Sequence, residues 1–201
     1  MIEVALTGNV ASGKSLVAGF WREAGVPVVS ADELAREVVA PGGEGLAQVR
    51  RTFGDQVVSP DGALDRAAVR AIVFRDAGAR LRLEAILHPR IDALRREWMA
   101  AREREGVPLV VAEIPLLFEV GMEAAFDVVV LVDAPPSVRL ERLIAKGMEP
   151  DEARRIMDAQ MDPERKRPRA DHVLENDGSE EELRERALAL LADLHRWTES
   201  R

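Results

Sequence analysis

The chain has 201 residues with a formal net charge of −8, 47% hydrophobic residues, 32% charged residues and no cysteine. The lack of cysteine excludes disulfides, thiolate zinc sites and cysteine nucleophiles, and the acidic balance argues against a protein that coats nucleic acid. No apolar run approaches the length of a membrane span, and the sequence opens on a strand pattern rather than a signal peptide. We therefore expect a cytoplasmic protein without nucleic-acid or membrane partners. We also expect a monomer.

The segment 8–15 matches the G-x-x-x-x-G-K-S pattern of a phosphate-binding loop. An alternating apolar strand precedes it and a helical apolar pattern follows, which is the context in which such loops occur. Glycines let backbone N–H groups surround a phosphate, and the start of the following helix adds partial positive charge. Lys14 is placed for the outer phosphates and the Ser15 hydroxyl for Mg²⁺. The sequence predicts an ATP site formed by Gly8, Asn9, Val10, Ala11, Ser12, Gly13, Lys14 and Ser15.

A second strand pattern ends next to a carboxylate. Gly25 is expected to end the first helix, and residues 26–29 (Val-Pro-Val-Val) are typical of a short strand. This strand leads to Asp32 at the edge of the sheet where open α/β folds bind their ligands. We interpret Asp32 as a functional carboxylate; the alternative is a residue that only caps the next helix.

The stretch from residues 41–43 (Pro-Gly-Gly) to Gly106 is predicted to be a mostly helical insertion. Asp65 and Asp76 are expected to cap two of its helices. Pro89 is expected to end or kink the second of these, with a further helix between Pro89 and Gly106.

Three more strands are predicted after the insertion. Residues 108–112 are continuously apolar, as in buried parallel strands, and end on Glu113. That position resembles the acidic residue that assists Mg²⁺ in P-loop enzymes; the alternative is a surface acid. Residues 126–133 and 171–174 supply the other strands, and Ser179 with its capping box begins the last helix.

A basic amphipathic region lies between the last two strands and ends in the cluster 165–169. Charge runs are usually solvated faces, but arginines on a mobile cover would neutralise a transferring phosphoryl group and exclude water. Together with Lys14, Ser15 and a carboxylate base at Asp32, this region favours a small-molecule kinase.

The order of the motifs resembles the dephospho-CoA kinase family along the whole chain. The most particular pieces are His88-Pro89, residues 115–119 (Pro-Leu-Leu-Phe-Glu), Ala170-Asp171 and residues 176–178 (Asn-Asp-Gly). The resemblance implies ATP-dependent phosphorylation of the ribose 3′-hydroxyl of dephospho-CoA, which gives CoA and ADP in the last step of coenzyme A biosynthesis. It also implies Mg²⁺ as the metal, with ATP and dephospho-CoA as partners.

The same resemblance implies an α/β fold of the three-layer P-loop NTPase type, with a five-stranded parallel sheet, a helical substrate-binding insertion and a helical lid. The corresponding domains are a core of residues 1–31, 107–142 and 170–201, an insertion of residues 32–106 and a lid of residues 143–169. Implied catalytic residues are Asp32, Lys14 and Arg142, implied metal ligands are Ser15 and Glu113, and implied substrate contacts are Asp32, Arg36, His88, Glu113 and Leu116.

Several positions depart from the family's usual pattern. Ser30 replaces the first aspartate of Asp-Ala-Asp, while the proposed base is retained. Asn9 and Ala11 replace common glycines, and if either needs a positive φ, asparagine tolerates it far better than alanine. In the lid, Lys146 stands where arginine is usual; because lysine lacks bidentate geometry, we rank Arg142 above it.

Two other functions fit the phosphate loop. Another nucleoside or small-molecule kinase would keep Lys14 and Asp32 but would not use dephospho-CoA. An NTP-binding switch or hydrolase is the other alternative, although the chain has no Asn-Lys-x-Asp or Asp-x-x-Gly element. A degenerate binding protein is disfavoured by intact Lys14, Ser15 and Asp32.

Overall fold

Apolar runs in this chain form a five-stranded parallel sheet, as the sequence predicts. The computed structural model describes residues 1–200, so residue 201 of the predicted core lies outside the described residues. The strands lie in the order β2-β3-β1-β4-β5 and all neighbours are parallel. Their bounds are β1 (Ile2–Thr7), β2 (Val28–Ser30), β3 (Leu109–Glu113), β4 (Val128–Asp133) and β5 (His172–Glu175).

Nine α-helices connect and flank these strands within residues 1–200. Their bounds are α1 (Lys14–Glu23), α2 (Ala31–Val38), α3 (Glu44–Phe53), α4 (Arg66–Arg75), α5 (Ala77–Arg104), α6 (Pro136–Ala145), α7 (Pro150–Asp158), α8 (Pro163–Lys166) and α9 (Glu180–Glu199). Over the same residues, no helix combines the length and the apolar character needed to cross a bilayer. The chain divides into two units, residues 1–30 with the chain from 101 onward, and residues 31–100.

β2 is shorter than the sequence predicts. Val26 N–H donates to the Trp21 carbonyl at the end of α1, at 3.0 Å, and Pro27 has no N–H to offer. The Pro27 carbonyl still accepts from Val111 N–H at 3.0 Å, and the residue pairs with β3 run from Val28, opposite Val111, to Ser30.

The core of the first unit fixes α1 against the sheet and α9. Trp21 is fully buried in a cluster that includes Leu6 of β1 and Leu191 of α9. Its indole N–H donates to the Ala187 carbonyl at 2.9 Å, which satisfies the one polar atom of this side chain. Ser179 begins α9 with the predicted capping box. Because α1 is held in this way, the glycine loop at its N-terminus has a fixed end.

The second unit comprises α2, α3, α4 and most of α5 around its own apolar cluster. Asp65 caps α4 by accepting from Ala68 N–H at 2.9 Å. Asp76 precedes α5 and accepts from Gly78 N–H at 2.7 Å. Both caps are confirmed.

α5 runs through Pro89 as one helix, so the expected end of the helix there is wrong, while a kink, the other expectation at this residue, stays a prediction. A proline inside a helix costs about 3 kcal/mol. Arg90 Nη1 donates to the Ile86 carbonyl at 2.8 Å and so stabilises the disturbed turn. Side chains on both sides of the proline, such as Leu87 and Ile91, pack on the same cluster. A fully buried side chain of this kind contributes about 1.5–3 kcal/mol, so the buried Ile86 together with the half-buried Leu87 and Ile91 offsets the cost of the proline.

Candidate active site

The glycines of the phosphate loop are required by close contacts. Gly8 has φ +151°, and a Cβ there would lie 2.3 Å from the Val132 carbonyl oxygen. Gly13 has φ +104°, and a Cβ there would lie 2.1 Å from Asn176 Nδ2. Any side chain at either position would push the loop away from β4 or from the Asn176 amide.

Of the two residues that replace common glycines in the phosphate loop, Ala11 has a positive φ and Asn9 does not. Ala11 has φ +58° and is the only non-glycine residue with a left-handed backbone among residues 1–200. An L-residue in this conformation costs about 1–2 kcal/mol. Such strain persists only where the surroundings hold the backbone in place, and it is common at functional sites.

A hydroxyl and a carboxylate meet beside the loop. Ser15 Oγ donates to Glu113 Oε1 at 3.0 Å. Glu113 is the last residue of β3, is 7% exposed, and pairs in register with Leu6 of β1 and Ser30 of β2. The predicted partners of Mg²⁺ are therefore together at the carboxyl edge of the sheet.

This donor set fits Mg²⁺ bound to a nucleotide. Mg²⁺ is held by one or two carboxylates together with waters and substrate phosphates rather than by a cage of protein ligands. Ser15 and Glu113 supply only oxygen, and Ser12 Oγ is buried without a partner within residues 1–200. Such polar atoms suit a phosphate–metal ligand.

A cleft of about 610 Å³ opens next to the loop. This lies within the range of about 300–1,000 Å³ typical of small-molecule sites. The loop and the first turn of α1 form one wall, and α6 forms another through Arg142 and Lys146. Leu16 and Ala145 add apolar surface. Polar groups for phosphates and apolar groups for a base are thus brought together, as a nucleotide needs.

Arg142 is held in place by the loop and by Asn176. Its guanidinium donates to the Ala11 carbonyl at 3.3 Å and to Asn176 Oδ1 at 3.0 Å. Asn176 Nδ2 in turn donates to the Ser12 carbonyl at 2.7 Å. Arg142 and Asn176 therefore brace the loop from the side of α6.

The basic cluster after α7 is largely paired with carboxylates. The pKa of Arg167 is raised because Glu175 and Asp133 accept hydrogen bonds from its guanidinium. Arg169 pairs with Glu123 and lies 4.9 Å from the centre of the Phe118 ring. These ion pairs attach the chain after α8 to the ends of β4 and β5, through Arg167, and to Glu123, through Arg169.

Three predicted substrate residues lie in the second unit. Asp32 and Arg36 are on α2, His88 is on α5, and all three are exposed. Asp32 occupies the first turn of α2, where the helix dipole favours a carboxylate. Leu116 follows β3 in the first unit and is half-buried. Whether these side chains contact substrate stays a prediction.

Comparison with known proteins identifies the family of the chain. A family model described as dephospho-CoA kinase matches residues 2–182. A dephospho-CoA kinase from Anaeromyxobacter dehalogenans is 50% identical over 95% of this chain and 91% of its own length. The chain belongs to the dephospho-CoA kinase family.

Solved structures agree with the fold. The crystal structure of TT1252 from Thermus thermophilus is 42% identical, with a TM-score of 0.82 over 96% of this chain and 97% of that one. A dephospho-CoA kinase from Campylobacter jejuni, at 23% identity, has a TM-score of 0.67 over 96% of each chain. The predicted α/β P-loop fold and the resemblance to the family are both confirmed.

Sequence reasoning misses Asn176 and Gln160 as site residues. The sequence pattern indicates only a turn at Asn176, yet this residue is 1% exposed and bonded to the loop. Gln160 Oε1 accepts from Val10 N–H at 2.8 Å. Residues 176–178 are among the segments on which the resemblance to the family rests, and that resemblance is the available signal at Asn176, because spacing alone does not distinguish a residue that supports the loop from a turn residue.

Proposed function

We propose that this chain transfers the γ-phosphoryl group of ATP to the ribose 3′-hydroxyl of dephospho-CoA and forms CoA and ADP. The observation that carries the proposal is the phosphate loop with its hydroxyl–carboxylate pair, Ser15 and Glu113, in a chain of this family. The alternatives, another small-molecule kinase or an NTP-binding switch or hydrolase, lack that family support.

The loop would bind the triphosphate. N–H groups at the start of α1 would face its phosphates, and Lys14 adds a full positive charge in a half-buried position. Ser15 and Glu113 would hold Mg²⁺, which supplies charge neutralisation at the phosphate oxygens when bound. Arg142, braced by three oxygens, would line the nucleotide cleft.

Asp32 would act as the base. It follows Ser30, the last residue of β2, by two positions, and β2 pairs with the strand that carries Glu113. The ribose hydroxyl oxygen forms the new bond to the γ-phosphorus as the bond to the bridging oxygen of ADP breaks, and the hydroxyl proton passes to the Asp32 carboxylate. Arg36, His88 and Leu116 are proposed contacts of the acceptor substrate.

The test is acceptor-dependent ADP release with ATP and Mg²⁺, comparing dephospho-CoA, adenosine and no acceptor, with the product mass measured in parallel. We expect release only with dephospho-CoA and one added phosphate in the product. ADP release without an acceptor would favour a hydrolase or switch, and release with adenosine would favour another kinase. No release, despite ATP binding, would indicate a degenerate binding protein.

Substitutions of Asp32 and Glu113 test the proposed base and the proposed metal ligand separately, with Glu33→Gln as the control. Asp32→Asn should keep ATP affinity and lose transfer, whereas Glu33→Gln, an exposed acidic neighbour in the same turn, should keep both. Near-normal turnover of Asp32→Asn would refute the base. Glu113→Gln should raise the Mg²⁺ concentration needed for half-maximal activity, since one candidate ligand charge is lost.

The monomeric state and the cytoplasmic location expected from the sequence stay predictions. Light scattering of the purified protein tests the first, and cell fractionation tests the second.

A further inference from the structure

The tip of the phosphate loop is bonded to the segment that joins α7 to α8. Gln160 Oε1 accepts from Val10 N–H at 2.8 Å. Asn9 Nδ2 donates to the Met161 carbonyl at 3.0 Å. The two bonds are reciprocal, because each segment supplies one side chain and one backbone group. They join parts of the chain about 150 residues apart.

A second pair of contacts supports the α7–α8 segment from the other side. Met161 N–H donates to Glu119 Oε1 at 3.1 Å. The ammonium nitrogen of Lys166 lies 2.7 Å from the same oxygen, and Lys166 is fully buried. A buried ammonium group is costly without a carboxylate beside it, so Lys166 holds Glu119 in the position from which it accepts the Met161 N–H.

Asn9 is therefore more than a tolerated replacement of glycine. It is 3% exposed, and its φ is not positive, so its backbone does not require glycine. A glycine at this position would have no donor for the Met161 carbonyl. The side chain adds a bond that the family's usual glycine cannot make.

We propose that Asn9, Val10, Gln160 and Met161 form a latch that anchors the predicted lid, at the junction of α7 and α8, to the phosphate loop. Asn9 and Gln160 are positioning residues: they hold the loop tip in its binding conformation before ATP arrives. Any movement of the lid would then involve α7 and the chain before it, while residues 160–161 stay on the loop. The proposal deepens the proposed function, since it concerns binding of the same nucleotide.

The test uses the direction of the two hydrogen bonds, in which one side chain donates and the other accepts. Gln160 acts as an acceptor, so Gln160→Glu should keep the bond to Val10 N–H, whereas Gln160→Met should lose it. Asn9 acts as a donor, so Asn9→Asp should lose its bond and set a carboxylate against the Met161 carbonyl. Hydrogen exchange of the Val10 amide, measured by NMR without nucleotide, reports the latch directly.

We expect Val10 exchange to rise about fivefold or more in Gln160→Met and Asn9→Asp, the factor that corresponds to one hydrogen bond of typical net strength. Exchange in Gln160→Glu should stay near that of the natural protein. The KM for ATP should rise in Gln160→Met by a similar factor, with kcat within about twofold, because uniform binding is lost. Asp158→Ala, which truncates an exposed side chain two residues from Gln160, is the matched control and should change neither quantity.

Unchanged Val10 exchange in Gln160→Met, or equal exchange in Gln160→Glu and Gln160→Met, would overturn the latch. If Gln160→Met fails to fold, the other two variants still test the latch, because Val10 amide exchange should rise in Asn9→Asp and stay unchanged in Gln160→Glu. The exchange measurement needs no acceptor substrate, so failure of the latch and failure of the proposed function give different results.

Discussion

Substitution of Gly13 by alanine tests how the phosphate loop is packed. The new Cβ would lie 2.1 Å from Asn176 Nδ2. Asn176 is 1% exposed, and both ends of its amide are bonded, Nδ2 to the Ser12 carbonyl and Oδ1 to Arg142. The amide cannot turn away without losing both hydrogen bonds, so we expect Gly13→Ala to displace it.

The size of the effect follows from these contacts. Alanine at φ +104° costs about 1–2 kcal/mol, partly offset by about 0.4–1 kcal/mol from reduced entropy of the unfolded chain. Loss of the bond to Ser12 adds about 1 kcal/mol, and loss of the charge-assisted bond from Arg142 adds about 1.5–3 kcal/mol. The free energy of unfolding of Gly13→Ala should fall by about 3–5 kcal/mol.

Urea denaturation measures this loss, and Gly25→Ala is its control. Gly25 has φ +87°, and a Cβ added there would meet no atom within 4 Å, so only the backbone effect remains, about 1 kcal/mol or less. Asn176→Ala removes the same two bonds without a clash. The double variant with Gly13→Ala loses them only once, and its cost should be about 2 kcal/mol or more below the sum of the single costs.

Equal losses in Gly13→Ala and Gly25→Ala would show that the amide moves aside freely. Additive losses in the double variant would show that Gly13 and Asn176 act independently. Either result refutes the packing argument.

Three further changes have defined outcomes. Lys14→Ala should lower kcat/KM for ADP release about a hundredfold or more, because a charge aimed at the phosphates is lost. Trp21→Phe should lower the free energy of unfolding in urea by about 1–3 kcal/mol, because the Ala187 carbonyl loses its buried donor. The hydrogen bond from Arg169 lowers the pKa of Glu123, so its stabilisation is present above the unfolded pKa and lost as pH falls through the folded one. Glu123→Gln should therefore lower Tm at pH 7, and the difference in Tm should shrink as the pH falls below the unfolded pKa of the carboxyl.

Local patterns are enough to predict most of the fold. The five strands and the caps at Asp65 and Asp76 depend on neighbouring residues, and the structure has them all. The predicted helix end at Pro89 is wrong because local proline chemistry competes with burial of side chains on both sides of it. A rule based on one residue cannot include packing that comes from three other helices.

The part of the site that can be predicted from the sequence consists of residues at or just after the carboxyl ends of predicted strands. Ser15 and Glu113 meet because a loop after β1 and the end of β3 share one edge of the sheet. Asn176 and Gln160 are not predictable from spacing, since their hydrogen bonds reach the loop from positions 164 and 150 residues away along the chain. The roles of Asp32 and Arg142 in catalysis stay predictions.

The backbone strain in the phosphate loop is offset by hydrogen bonds from residues far away in the sequence. The left-handed Ala11 costs about 1–2 kcal/mol, a cost that a flexible loop would relieve by changing conformation. Four side-chain hydrogen bonds reach loop residues 9–12, from Asn176, Arg142 and Gln160 and from Asn9 to Met161. At about 1 kcal/mol each, they exceed the strain. The loop is therefore held in its conformation by α6, the α7–α8 segment and the chain after β5, and a phosphate would bind a loop that is already ordered.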